Sequence, residues 1–228
     1  MQGKVCVVTG GFGALGRSVA SKLLARGATV ARLDKTHASS DGLPKTFDLA
    51  GVDIADQSAA GRAVQAVVDR HGGIDVLVNV AGGFIWQTLE NGGLDTWKHM
   101  YEMNVATTVA MTKAALPHLS KRSGAAIINI AANAAVGPAS AGMGAYAAAK
   151  AAVIRLTESL ADELKARDVT VNAILPNIID TPRNREDMPG ANFSEWVRPE
   201  SLAEIVLFLA SPAARVISGA SIPVSRGG

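Results

Sequence analysis

The 228-residue chain has one cysteine, few aromatic residues, no long apolar run and almost no net charge. The single cysteine, Cys6, lies in the apolar run Val5-Cys6-Val7-Val8, so an intrachain disulfide is excluded and a buried strand position is expected. A net charge of +2 without any basic run gives no electrostatic footing for nucleic acid or a membrane surface. No apolar stretch reaches the roughly 18 residues that suggest a membrane span, and no signal-peptide pattern precedes the first strand. A soluble, cytoplasmic protein is expected. His, Cys and carboxylates do not fall at metal-ligand spacing, so no metal is proposed. What is abundant is small and apolar: 48 % hydrophobic residues, 23 glycines and only 4 % aromatics. That composition suits a tightly packed α/β protein.

Apolar runs alternate with amphipathic ones along the chain. Strands are predicted at 4–9, 29–33, 74–80, 125–131, 169–175 and 220–224, with a weaker one within 45–53. Helices are predicted over 14–26, 58–70, 94–120, 143–166 and 200–210. Repeated strand–helix–strand order implies a Rossmann-type doubly wound parallel sheet, about seven strands with helices on both faces. The length predicts one domain, 1–228. The irregular stretch 176–199, rich in Pro, Asn and charge, reads as a lid-like substrate loop within it.

The run Thr9-Gly10-Gly11-Phe12-Gly13-Ala14-Leu15-Gly16 follows the first strand and opens the first helix. In that context it is a dinucleotide-binding signature. Gly10 permits the tight turn, Gly13 lets backbone approach a pyrophosphate, and Gly16 lets helix and strand pack closely. The helix N-terminus offers unpaired N–H groups and positive dipole to phosphate. Asp34, at the end of the second strand, sits where a carboxylate holds the adenosine ribose and repels a 2′-phosphate. NAD(H) is favoured; Arg32 and Lys35 beside it keep NADP(H) possible. Asp53 and Ile54 are expected to flank adenine. Asn79, Ala81 and Gly82 close the fourth strand with room for coenzyme, and the Asn79 amide is expected to tie strand ends together.

Tyr146 and Lys150 lie four apart in the helix predicted at 143–166 and so share a face. A lysine ammonium beside a phenol favours phenolate and lowers a pKa that is ~10 when unperturbed. The pair alone would arise by chance in many helices; the glycine loop upstream gives it weight.

Together these residues resemble the short-chain dehydrogenase/reductase family, and the likeness covers essentially the whole chain. It includes the glycine loop, Asp34, Asp53-Ile54, Asn79-Val80-Ala81-Gly82, Asn104 in Met103-Asn104-Val105, Tyr146-x-x-x-Lys150 and the Pro176–Thr181 stretch. The resemblance implies hydride transfer with Tyr146 as proton donor and Lys150 on the nicotinamide ribose. It implies a water held by Asn104, and nicotinamide contacts at Pro176, Ile179 and Thr181, with Phe12, Ala14 and Leu15 completing the coenzyme loop. It also implies a homodimer or homotetramer built on the two long helices, with Gly227-Gly228 near a subunit contact. Three positions depart from the family pattern. Ala14 takes the place of a glycine, Asn177 follows Pro176 where the family has glycine, and the catalytic serine is missing. Counting forward from the fifth strand puts that serine at Ala132; counting back from Tyr146 puts it at Asn133.

A narrower likeness, to the dihydropteridine reductase-like branch, rests on Asp180-Thr181-Pro182-Arg183-Asn184-Arg185 and Met188 through Trp196. That branch lacks the serine too. It implies reduction of a quinonoid dihydropterin-like substrate, with a generic ketone, alcohol or 3-oxoacyl reductase and a non-catalytic nucleotide-binding protein as alternatives. Hydride entering a conjugated C=N system spreads charge over ring nitrogens, which lessens the need for a hydroxyl on one oxygen. Phe84 and Trp86 could stack on a flat substrate or pack the rim. Asn133 could act as an amide donor, and Ser140 could swing in.

Overall fold

The computed structural model describes residues 1–37, 43–138 and 140–226. Seven strands, β1 (Val5–Thr9), β2 (Thr29–Leu33), β3 (Thr46–Leu49), β4 (Val76–Asn79), β5 (Ala125–Ile130), β6 (Val169–Pro176) and β7 (Ser221–Val224), form one sheet. Its order is β3-β2-β1-β4-β5-β6-β7 and every pairing is parallel. The helices are α1 (Ala14–Ala25), α2 (Gln57–His71), α3 (Leu94–Tyr101), α4 (Thr107–Leu119), α5 (Gly144–Glu163), α6 (Pro182–Asp187) and α7 (Pro199–Leu209). This is the expected doubly wound Rossmann fold. The strand order reverses at β1 and β4, so a crevice forms at their C-terminal ends, the usual ligand position in such sheets.

Strand alternation splits the core between the two faces of the sheet. Val7, Leu77 and Ile127 pack with Val64, Met111 and Leu160 from α2, α4 and α5. Their neighbours Val8, Val78 and Ile128 pack with Val19, Leu23, Leu202 and Val206 from α1 and α7. A third cluster, with Met100, Val105, Ala149, Val153 and Leu175, lies under Tyr146. Cys6 is fully buried, and burial pushes its thiol up to about 12. Among the described residues no helix is long and apolar enough to cross a membrane.

Two expectations need correction. The helix predicted at 94–120 is broken by a π-helical turn at Glu102–Ala106 between α3 and α4. Polar side chains there compete for backbone acceptors. The Asn104 amide donates to Met100 O, while the Thr107 and Thr108 hydroxyls donate to Met103 O and Asn104 O. Insertions of this kind recur at functional sites. The stretch 176–199 is also less irregular than its composition suggests. Thr181 caps α6 by accepting from Asn184 N, with Pro182 in the first turn. Arg185 pairs with Asp180 at 2.7 Å and lies over the Phe193 ring, which in turn packs 4.7 Å from Trp196. Trp196 is 5 % exposed and so packed into the fold. Gly227-Gly228 lie outside the described residues.

Candidate active site

The Thr9 hydroxyl, at the end of β1, accepts hydrogen bonds from the N–H groups of Val80 and Ala81, 3.1 Å each. This pins the turn after β1 to the turn after β4. At Gly10 φ is +61°, and a Cβ there would meet the Ala81 backbone at 3.0 Å. A Cβ on Gly16 would lie 2.1 Å from the Gly10 carbonyl oxygen. Glycine at both positions is therefore a packing requirement. Gly13 differs. It is exposed, and a Cβ there would meet nothing closer than 3.5 Å. It precedes α1, whose N-terminus has no side-chain cap. The first-turn N–H groups, at Ala14, Leu15 and Gly16, are left for an outside acceptor, which suits an anion.

Asp34 is held against this loop. One carboxylate oxygen accepts from Phe12 N at 2.9 Å and the other from the Thr36 amide and hydroxyl at 3.0 Å. The neighbouring cations each have an acidic partner. Arg32 is fully buried beneath Phe12 and forms a two-pronged pair with Asp48, at 2.9 and 2.6 Å. Lys35 reaches Asp53 at 2.6 Å, and that contact holds the Asp53 carboxyl below its ordinary range. Ile54 is buried in the sheet-face core behind Asp53.

The candidate pair, Tyr146 and Lys150, lies on α5. Lys150 is 5 % exposed, its ammonium donates to the Ile130 carbonyl at 2.8 Å, and it lies 5.9 Å from the Tyr146 ring centroid. A Cβ on Gly82 would lie 3.2 Å from that ammonium and 2.6 Å from Asn104 Oδ1. Glycine at 82 is thus what lets Lys150 and Asn104 approach the end of β4. The expected acidic phenol is not found. Burial pushes Tyr146 up to about 12 and Lys150 down to about 8. Desolvation outweighs attraction because the cation is itself withdrawn from water and held by a carbonyl.

Asn104 is buried in the π-turn, with its side chain bonded to backbone groups. Its side chain accepts from Gly83 N and donates to Gly83 O and Met100 O, at 3.2, 3.1 and 3.0 Å. It straps the β4 exit to the π-turn. Asn79 does tie strand ends: its amide donates to Asn129 Oδ1 and to Thr112, and Asn129 donates to Thr157. This buried chain joins α4, β4, β5 and α5. Sequence reasoning missed Thr112, Asn129 and Thr157, although an Asn inside Ile127-Ile128-Asn129-Ile130 was a visible signal.

At the missing serine, Ala132 continues β5 in extended conformation and is 5 % exposed. Neither Ala132 nor Asn133 carries a hydroxyl. Asn133 opens a short 3₁₀ turn and donates to Asn177 at 2.8 Å. Ser140 accepts at its carbonyl from Met143 N. Phe84 meets Tyr146 edge-on, 5.0 Å between centroids. Trp86 is 62 % exposed and its indole donates to Ala141 O, clasping the loops after β4 and β5. Ile179 bridges Val197 and accepts from the Asn184 amide, and Thr181 serves α6 as its cap.

The family model described as short chain dehydrogenase matches residues 4–191. The chain belongs to the short-chain dehydrogenase family. This short-chain dehydrogenase is 29 % identical to the 3-oxoacyl acyl-carrier-protein reductase FabG of Thermotoga maritima, covering 100 % of this chain and 98 % of that one. It is 32 % identical to the meso-2,3-butanediol dehydrogenase of Serratia marcescens, over 98 % and 94 %. Its fold matches the crystal structure of a 3-ketoacyl-(acyl-carrier-protein) reductase from Brucella melitensis complexed with NADH, with TM-score 0.86, 28 % identity and coverage of 98 % and 97 %. These relatives are reductases and dehydrogenases, and none of them is a dihydropteridine reductase. The chain is an NAD(P)-dependent oxidoreductase.

Proposed function

We propose that this enzyme reduces a small-molecule carbonyl compound with NADH, using Tyr146 as the proton donor. The observation that carries the reading is the buried Tyr146–Lys150 pair facing an uncapped, glycine-lined helix N-terminus across one crevice. The residues fit a dinucleotide. Gly10, Phe12, Gly13, Ala14, Leu15 and Gly16 would cradle its pyrophosphate, and Asp34, held between Phe12 and Thr36, would take the ribose hydroxyls. With Arg32 buried and Lys35 paired to Asp53, the carboxylate is the group that a 2′-phosphate would meet, which supports NADH over NADPH. Asp53 and Ile54 would flank adenine; Asn79, Ala81, Gly82, Pro176, Ile179 and Thr181 would line the nicotinamide end. When bound, the coenzyme supplies the hydride.

A phenol pushed up to about 12 stays protonated at neutral pH, the state a reductase needs. Tyr146 then gives its proton to the oxygen that gains negative charge, while Lys150, fixed by Ile130, lends positive charge as the phenolate forms. Asn104 holds the Gly83 peptide that borders both. The relatives' activities support a carbonyl acceptor. A second reading, reduction of a quinonoid dihydropterin-like C=N system, is favoured by the lack of a hydroxyl at both Ala132 and Asn133, where the family's serine would hold a carbonyl oxygen. Both readings take a homodimer or homotetramer in the cytoplasm, formed by one domain over 1–228. NADH oxidation with a 3-oxoacyl and ketone panel, against quinonoid dihydrobiopterin, separates them in wild type and Tyr146→Phe. NADH binding without turnover of any acceptor would overturn both.

A further inference from the structure

Asn133, one of the two candidates for the missing serine's place, is bonded to Asn177, which stands where the family has glycine. Asn133 Nδ2 donates to Asn177 Oδ1 at 2.8 Å, and Asn177 Nδ2 reaches the Ser225 carbonyl at 3.4 Å. The far end fixes the polarity of the relay. A backbone carbonyl can only accept, so Asn177 must turn its amide nitrogen toward Ser225 and its oxygen toward Asn133. Asn133 must then offer nitrogen to Asn177, which leaves its oxygen without a partner among the described residues. Asn177 is also anchored through its backbone N–H to Val224 O. The relay spans the ends of β5 and β6. The 3₁₀ turn that Asn133 opens packs beside the catalytic tyrosine, because Ala131 and Ala135 share a cluster with Tyr146.

We infer that Asn133, aligned by Asn177, reads the hydrogen-bond polarity of the substrate and selects one that carries an N–H next to its reducible bond, as in a cyclic amidine or lactam-like ring. An amide that donates through nitrogen becomes a stronger acceptor at oxygen. A hydroxyl donates or accepts as required; an amide oxygen locked by its neighbour only accepts. Asn133 would touch the substrate, whereas Asn177 is a positioning residue. The inference rests on the catalytic reading of Tyr146 and sharpens the second acceptor class.

The test uses ligand binding, so it does not depend on finding the natural substrate. The NADH-loaded full-length enzyme is titrated with 2-quinolone and with coumarin, flat bicyclic rings that differ at N–H against ring oxygen. Wild type is expected to bind 2-quinolone about tenfold more tightly, the worth of one good hydrogen bond. Asn133→Ala should abolish that ratio and Asn177→Ala should reduce it, while a general structural defect would weaken both ligands together. An equal affinity of wild type for the two rings, or a ratio that survives in Asn133→Ala, overturns the inference. Should Asn133→Ala fail to fold, Asn177→Ala, at an exposed position, carries the same comparison. Reductase turnover with an unchanged ratio would sink this inference and leave the proposed function standing; absence of turnover with every acceptor would count against both.

Discussion

The glycine loop and the Tyr146 pocket face each other across one crevice and are built on opposite principles. Around Gly10, Gly13 and Gly16 the site exists because side chains are absent: backbone must touch backbone, and N–H groups must stay open. Around Tyr146 the site exists because polar side chains are buried. Lys150, Asn104, Asn79 and Asn129 all lie under 6 % exposed and nearly every polar atom is spoken for. The first region is shaped by close backbone approach, pinned by the side chains of Thr9 and Asp34. The second works through desolvation, which moves proton affinities and depends on many residues at once.

The sharpest way to break this contrast is Tyr146→Phe, which removes one hydroxyl and leaves the loop intact. Reduction is expected to fall by ~10²–10⁴-fold in kcat/KM while NADH affinity, measured by fluorescence, stays close to wild type. Equal losses in both would mean that the two regions are not separable.

Lys150 gives the next largest effect, read as stability against pH. Its folded pKa of about 8 lies below its ordinary value of 10.5, so the unfolded chain binds more protons between those limits. Stability contributed by this group should rise with pH from 8 to 10.5, by about 3 kcal/mol at most. Tyr146 acts oppositely. Its folded value of about 12 exceeds 10.0, so its contribution is complete below pH 10 and is lost as pH rises through 12. Denaturant unfolding of wild type and Lys150→Met across pH 7–10 should show the rise only in wild type.

Gly16→Ala tests the loop by adding what it excludes. The new methyl would collide with the Gly10 carbonyl, and a cost of about 1–3 kcal/mol with weakened NADH binding is expected. Unchanged coenzyme affinity would show that the loop yields more easily than its contacts imply. The smallest effect belongs to Asp34→Ala. Removing the carboxylate should move the NADH:NADPH preference toward NADPH by about tenfold in kcat/KM, without a change in kcat for NADH. An unchanged ratio would assign the discrimination to another residue.

The sheet, the glycine loop and the Tyr146–Lys150 spacing were legible because they are local. A two-residue period, a glycine at a turn and a four-residue step each leave a mark within a few positions of the chain. Most element bounds follow from such marks. The π-turn did not, because it arises where Asn104 reaches both back to Met100 and across to Gly83, 21 residues away. Nor did the fate of Arg32, which reads as an available cation beside Asp34 until the pairing of β2 with β3 brings Asp48 alongside it.

By itself the sequence determined the strand–helix alternation, the glycine loop that opens α1 and the spacing that sets Tyr146 and Lys150 on one helix face. Only the tertiary structure decided that burial overrides charge at Tyr146, that the Asn104 side chain straps Gly83 to Met100, and that Asn133 and Asn177 meet across 44 residues. The physical reason is range. Backbone periodicity and steric fit are properties of neighbours in the chain, whereas desolvation and the polarity of a hydrogen-bond relay depend on what the fold brings near from elsewhere.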